Sequence, residues 1–443
     1  MTQNLEPINT LENPVSQKER ITILDSLRGI AILGILLMNI PGFGLPEPLC
    51  YGDLSVLSEK VQGINFKTWY FIELSFAGTQ RALFSILFGA GIILFIGRKE
   101  KNAEGIMPAE YFFRRQLWLL VFGLINAFVL LWFWDILFQY AIAGMILFAF
   151  RRLSPKNLIV ASILCLFIQT ARDNVMYYRD KKVIATGEML SKIDTATTKL
   201  TEEQKEKLGA WKSMKERDSK EGKMKQMEKS LSKVRGSYSD FYDYQSERSF
   251  HGEVEYTYNG LWDVLIFMFL GMALFKNGVL LGDGSTKVYW AMCIIGLGVG
   301  VFLTWYRLQP WITLNYSRIA YAKQMPLELY EVSRSIRSVG IFGLIMLLYK
   351  SGLFKWLFSI MRPVGQMAFT NYLMQSLLVG LYFYGVGFGM FGKLQFYQIY
   401  YVVGATWLLQ IIWSHIWLRY FRFGPFEWLW RSLTYWKIQP IKK

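Results

Sequence analysis

The residues of this chain best suited to chemistry stand inside apolar stretches. Residues 21–44, ITILDSLRGIAILGILLMNIPGFG, hold Asp25, Arg28 and Asn39. On a helix of about 3.6 residues per turn, Arg28 and Asn39 fall within about 20° of each other and about 16 Å apart along the axis, with Asp25 about 60° away. Residues 71–96 hold Glu73, Arg81 and Ser85, the last two on one helix face and Glu73 about two turns ahead of Arg81. Residues 366–376 hold Asn371 and Gln375, spaced to share a face. Ionisable groups within a membrane span are costly and face a cavity or a partner, and a buried amide without a partner costs roughly 2–7 kcal/mol. Guanidinium groups hold phosphates and carboxylates through charge-assisted hydrogen bonds, and positioned donors polarise a carbonyl. The plainer reading of the same residues is an interfacial Asp25–Arg28 ion pair and interhelical hydrogen bonding by the others.

A membrane has to position those stretches. Of 443 residues, 53% are hydrophobic and 17% aromatic. The apolar residues come in blocks of about 20, the length that crosses a bilayer, rather than in scattered amphipathic stripes. The expected fold class is all-α, a polytopic membrane helix bundle of about ten transmembrane helices with one charged helical extracytoplasmic insert. By length and flanking charge the spans are 21–40, 71–96, 114–133, 136–150, 158–170, 261–275, 288–305, 336–349, 364–384 and 396–418. Loops at 45–69 and 307–335, the second carrying Arg318, Lys323, Glu328, Glu331 and Arg334, read as outer. The domains follow: an N-terminal cytoplasmic segment 1–20, a five-helix half 21–171, the insert 172–258, a second five-helix half 259–418, and a basic, aromatic cytoplasmic tail 419–443.

A formal net charge of +16 would suggest nucleic acid in a soluble protein. Here Lys and Arg flank the apolar blocks at 98–101, 151–156 and 419–443, so they read as topology signals and no nucleic acid is expected. They put both termini on the cytoplasmic side of the membrane. The polar start with Glu6, Glu12 and Glu19 leads into a run too long for a cleaved leader, which fits an uncleaved signal-anchor. Three dispersed cysteines and two histidines, His251 and His415, make a disulfide framework or a protein-held metal improbable. The core of the insert, EEQKEKLGAWKSMKERDSKEGKMKQMEKSLSKV, reads as a solvated charged helical hairpin. Glycines 296, 298 and 300 lie inside an apolar helix and read as close helix packing, not as a phosphate loop.

The opening DSLRGIAILGILLMNIPGFGLPEP resembles that of the YeiB-type bacterial multi-span proteins, whose first helix is similar to that of the heparan-alpha-glucosaminide N-acetyltransferases. RALFSILFGAG, LWDVLIFMFLGMALFKNG, QMAFTNYLMQS and GPFEWLWRSLTY resemble further signatures of the same family, and VRGSYSDFYDYQSER resembles the end of its variable insert. The resemblance runs from near residue 20 to about 440. It implies a bundle in which acetyl-CoA or another acyl-CoA enters from the cytoplasm and an envelope glycan or lipid is acylated at the outer face, without a metal. On that reading Asp25, Arg28, Glu73 and Ser85 bind substrate, and Asn39, Arg81, Asn371 and Gln375 carry the chemistry. The lysosomal enzyme uses a histidine soon after its first helix, whereas 40–71 here contains none, leaving Glu47, Cys50, Asp53 and Glu73 as nearby candidates. Two other classes stay open: a transporter or lipid-handling protein using the same polar groups without covalent chemistry, and an envelope scaffold or stress protein acting through the insert. Besides the lipid bilayer, the partners expected are the acyl donor and its acceptor, with a homo-oligomer left open.

Overall fold

A computed structural model describes residues 21–57, 63–102, 105–193 and 199–443. The expected segment 1–20, Glu59, Lys60 and the side chain of Lys101 lie outside the described residues. The fold is all-α. An antiparallel bridge between Phe421 and Lys442 is isolated rather than part of a sheet.

The first half comprises α1 (Thr22–Gly44), α2 (Ile64–Phe76), α3 (Thr79–Asn102), α4 (Met107–Phe128), α5 (Leu137–Leu147) and α6 (Pro155–Leu190). The insert adds α7 (Glu202–Asp218), α8 (Lys220–Arg235) and α9 (Tyr238–His251), and a π-helical turn at Gly252–Tyr256 runs α9 into α10 (Thr257–Lys276). After it come α11 (Thr286–Thr313), α12 (Arg318–Gln324), α13 (Tyr330–Ser351), α14 (Lys355–Gln366), α15 (Ala368–Phe383), α16 (Ile399–Tyr420) and α17 (Pro425–Tyr435).

Seven helical segments among the described residues are long and apolar enough to cross a membrane: Thr22–Gly44, Ile64–Glu100, Pro155–Leu190, Tyr238–Lys276, Thr286–Thr313, Tyr330–Ser351 and Ile399–Tyr420. The shorter or less apolar α4, α5 and α15 run between the same two ends. Near one end, Arg114 of α4 donates to Thr434 in α17, and near the other the Ala127 carbonyl accepts from Ser249 of the insert. The two ends are called below the tail end and the insert end.

Three of the differences from the boundaries read in the sequence bear on the site. The second apolar block breaks at Gly78, whose φ of +71° ends α2 and turns the chain into α3. Hydropathy is blind to that dihedral. Residues 364–384 split at Met367 into α14 and α15, so an amphipathic helix precedes the apolar one. Glu331 and Arg334, expected in an outer loop, are instead buried inside α13, because they pair with each other and Arg334 pairs with Asp263 of α10.

Small residues set the closest helix contacts. A Cβ on Gly296 or Gly300 of α11 would lie 2.5 Å from Gly340 or 2.6 Å from Arg337 on α13, whereas one on Gly298 would meet nothing within 4 Å. The glycines four apart therefore form the contact and the one between them faces away, as small-residue packing requires. The insert begins and ends as continuations of spans. At about 1.5 Å per residue α6 is about 54 Å long, well beyond a hydrocarbon core of about 30 Å. Its far end receives α7 through Trp211, which packs on Gly187. α7 starts with a capping box between Thr201 and Gln204, and Ser219 both ends it and caps α8, making a helical hairpin. The hairpin is docked: Lys223 pairs with Asp53 at 2.8 Å, and Arg235 donates to the Phe391 carbonyl at 2.8 Å. Beneath it, Phe43 stacks on Trp132 with ring centres 3.7 Å apart.

Candidate functional site

The residues that could do chemistry converge at the insert end of α3, α10 and α13. Arg81, in the first turn of α3, pairs with Asp263 of α10. The other oxygen of Asp263 accepts from Arg334 of α13, which also bonds Glu331 at 2.8 Å. One carboxylate thus joins two guanidiniums from different helices. Arg334 is fully buried, and its Nε and Nη1 have no hydrogen-bond partner among the described residues. Against the backbone of the same turn of α3 lie two hydroxyls: Ser85 Oγ and Tyr140 Oη share a hydrogen bond at 2.5 Å, and they lie 2.9 and 3.2 Å from the Arg81 carbonyl, which accepts from the one whose proton is free. Donors that lack a partner in a dry interior are costly, so the unpaired Arg334 N–H groups mark a place for an acceptor.

Arg337, one turn along α13, does a different job. It donates to the carbonyls of Leu74 at 2.9 Å and Ala77 at 2.6 Å, and to Thr304 at 2.5 Å. A cation there satisfies the last carbonyls of α2 and suits the negative end of that helix. It holds the α2–α3 turn from which Arg81 projects. Glu73 of α2 lies in the field of Arg307 and Arg337. Arg81, Arg307, Arg334 and Arg337 against Glu73, Asp263 and Glu331 leave one positive charge in excess.

A second polar group lies at the entrance to α5. Asp135 accepts from Asn126 at 2.7 Å, Tyr372 at 3.1 Å and the Phe138 amide at 3.0 Å. Glu253, buried on the π-helical turn, has Asp135 as its neighbouring charge. Burial raises the Asp135 carboxyl above its ordinary range.

The remaining expected residues fall elsewhere. Arg28 bonds Asp25 at 3.1 Å near the tail end of α1, and the second oxygen of Asp25 is buried without a partner. Beside this pair a Cβ on Gly91 of α3 would lie 3.7 Å from Arg28. Arg115 is also near and has its guanidinium stacked 3.5 Å from the Trp430 ring. Asn371 donates to Val364 O at 3.0 Å and Ser414 at 3.2 Å, and accepts from Trp413 at 2.7 Å. Gln375 donates to Ile32 O at 3.1 Å and Gln410 at 3.0 Å. The two amides join α15 to α14, α16 and α1. Asn39 is half-buried on α1, and its side chain makes no hydrogen bond among the described residues.

Of the candidates beyond the first helix, Glu47 pairs with Arg248 at 3.3 Å and Asp53 with Lys223. Burial pushes the Cys50 thiol up to about 12, which keeps it protonated and a poor nucleophile. His251 sits against Glu255 on the insert. Asp263, Arg334, Asp135, Glu253 and Tyr372 did not stand out in the sequence reading. Asp263 carried the available signal: it is the acid inside LWDVLIFMFLGMALF, and an acid in a span needs a partner. Among the described residues no group of three or more His, Cys, Asp or Glu could hold a metal ion.

The C-terminal GPFEWLWRSLTY has a structural task. Glu427 of α17 accepts from the amides of Phe369 at 2.7 Å and Thr370 at 3.0 Å, and from the Thr370 hydroxyl at 2.5 Å. It caps the start of α15, where helix amides lack internal partners and a negative charge is favoured.

Comparison with known proteins finds relatives of one family, none of them with a described activity. A family model described as "Protein of unknown function (DUF418)" matches residues 274–437. The chain is 30% identical over 440 residues to the "Uncharacterized protein YeiB" of Escherichia coli (strain K12), covering 94% of this chain and 96% of that one. It is 28% identical over 442 residues to the "Uncharacterized protein YxaH" of Bacillus subtilis (strain 168), covering 97% of this chain and 98% of the relative. No solved structure matches.

Proposed function

We propose that this chain, which belongs to the YeiB-type family of membrane proteins, is a membrane acyltransferase that moves an acetyl or other acyl group from a cytoplasmic acyl-CoA to an envelope glycan or lipid. The observation that carries this reading is the placement of two arginine centres along one helix. Arg28 lies beside Gly91 of α3, and Arg81 is ten residues earlier on the same helix, about 15 Å along its axis. A donor with a charged head and a long acyl arm has that form. Attack by an acceptor hydroxyl or amine on the thioester carbonyl forms a C–O or C–N bond and breaks the C–S bond, releasing coenzyme A as a thiolate that takes up the proton lost by the nucleophile. The negative charge that develops on the carbonyl oxygen would be met by Arg81 and the unpartnered N–H groups of Arg334. Asp263 is shared by two guanidiniums and Glu331 bonds one. Glu331 is therefore the better acceptor for the proton released by the nucleophile. Asn371 and Gln375 act by holding α15 in place.

Arg28→Ala should weaken acetyl-CoA binding by roughly 10- to 150-fold, the loss of charge-assisted hydrogen bonds worth about 1.5–3 kcal/mol. Calorimetric titration of acetyl-CoA into purified protein measures this, with Asp25→Asn plus Arg28→Gln as the variant that leaves no lone buried acid. Folded wild-type protein that binds no acetyl-CoA up to millimolar concentration would overturn the donor.

A second reading, transport or lipid handling without covalent chemistry, is favoured by one observation. The neighbouring carboxylates Asp135 and Glu253, the latter on a π-helical turn, have the composition of a proton relay. Mass spectrometry of ligands that copurify with the protein separates the two, since one retains an acyl donor and the other a transported species.

We also place both termini on the cytoplasmic side of the bacterial inner membrane, with the insert outside, on the strength of the basic clusters that flank the spans. Ser213 is exposed on α7, and Cys50, Cys165 and Cys293 are buried. Ser213→Cys should react with an impermeant maleimide on intact cells of a host with an opened outer membrane. Labelling that required lysis of the inner membrane would reverse the orientation.

A further inference from the structure

A cavity of about 390 Å³ opens at the tail end between α14, α16 and the last residues of the chain. Ser359, Arg362, Gln366, His415, Arg419 and Lys443 line it, and no lining side chain is a carboxylate. Ligand pockets run from roughly 300 to 1,000 Å³, so the space takes a headgroup or a small phosphorylated molecule. Several of its polar groups are fixed by the fold. Arg362 Nε is buried without a partner. The His415 Nδ1 is 2.8 Å from the Ile411 carbonyl, an oxygen that can only accept, so Nδ1 carries the proton and Nε2 of the neutral ring is left to accept from a ligand hydroxyl. The end of the chain folds back along α16 through Arg422 N to Ile441 O at 2.8 Å and Lys443 N to Tyr420 O at 3.2 Å. That bridge brings the Lys443 ammonium to the Leu418 carbonyl at the cavity wall.

We propose that this cavity is a binding site for a phosphate group, held by Arg362, Arg419 and Lys443, with His415 Nε2 placed to accept from a hydroxyl of the same ligand. It shares no residue with the Arg28–Asp25 pair and stands whether or not the protein transfers acyl groups. Guanidiniums bind phosphate through paired, charge-assisted hydrogen bonds. The position favours a ligand at the membrane surface: Tyr420 is 67% exposed and adjoins Arg419, and basic pockets between membrane helices take phosphodiester headgroups from the bilayer. The same chemistry serves a soluble phosphate compound.

The full chain in nanodiscs of phosphatidylcholine with a minority of phosphatidylglycerol, analysed by native mass spectrometry, tests the lipid source. Calorimetric titration of inorganic pyrophosphate into detergent-purified protein tests the soluble one. Phosphatidylglycerol retained in preference to phosphatidylcholine, or pyrophosphate bound at micromolar to low millimolar concentration, supports the site provided Arg362→Gln with Arg419→Gln lowers it by about 10- to 100-fold. Should that double variant not fold, Arg419→Glu at the exposed position is expected to produce a loss of about 10-fold or more by charge reversal. Binding of neither probe to folded wild type, or binding that folded variants leave unchanged, overturns the proposal.

Discussion

Replacing Asp263 with alanine is expected to destabilise the protein by about 3–5 kcal/mol, the usual cost of removing one partner from a buried ion pair. The Asp263 side chain is 6% exposed and is the shared acceptor for Arg81 and Arg334. Without it two guanidiniums on different helices face each other with Glu331 as the nearest acid, and desolvation is no longer offset by attraction. Thermal melts and denaturant titrations of the purified protein in detergent would read the loss. Combining Asp263→Asn with Arg81→Gln removes a charge of each sign and should recover more than half of it, which separates an ionic role from simple packing. A single variant that melts within about 0.5 kcal/mol of wild type would show that the cluster contributes no net stability.

Gly78→Ala is expected to cost about 2–5 kcal/mol. The φ of +71° at Gly78 puts an added Cβ in the left-handed region, at about 1–2 kcal/mol. That Cβ would also lie 2.2 Å from Arg334 Cδ and 2.8 Å from the Tyr330 hydroxyl, and overpacking of this kind costs about 1–3 kcal/mol. Arg334 cannot swing away cheaply, since its guanidinium is pinned by Asp263 and Glu331. Gly298→Ala is the control, because a Cβ there meets nothing within 4 Å. Equal melting temperatures for the two variants would refute a special requirement at Gly78. The same strain should move Arg81, three residues on, so any acyl-transfer activity should fall in folded Gly78→Ala and persist in Gly298→Ala.

Much of the site lay in view from composition and spacing, and some of it did not. Arg81 and Ser85 share a helix face in the structure as their spacing implies, with the Ser85 hydroxyl on the Arg81 carbonyl. The Asp25–Arg28 pair likewise needs only one turn of helix to form. Asn371 and Gln375 were legible as buried amides needing partners. Their partners Ser414, Gln410 and the Ile32 carbonyl belong to helices far away in sequence. Tyr372, beside them, points to Asp135 in a loop 237 positions earlier, and no local pattern indicates that bond.

By itself the sequence determined the membrane class, the all-α fold, the apolar blocks that become helices, the charged helical hairpin and the glycine spacing of α11, because each depends on short-range periodicity and on the length of apolar runs. Only the tertiary structure decided that one apolar block turns at Gly78, that Arg334 leaves an expected loop for the interior, and that Arg81, Asp263 and Arg334 meet across 182 and 71 positions of chain. The physical reason is that a buried charge is tolerable only beside its counter-charge. Which helices stand side by side to supply it is set by how small residues such as Gly89 and Gly271 let α3 and α10 approach, and hydropathy along one chain carries no record of that neighbourhood.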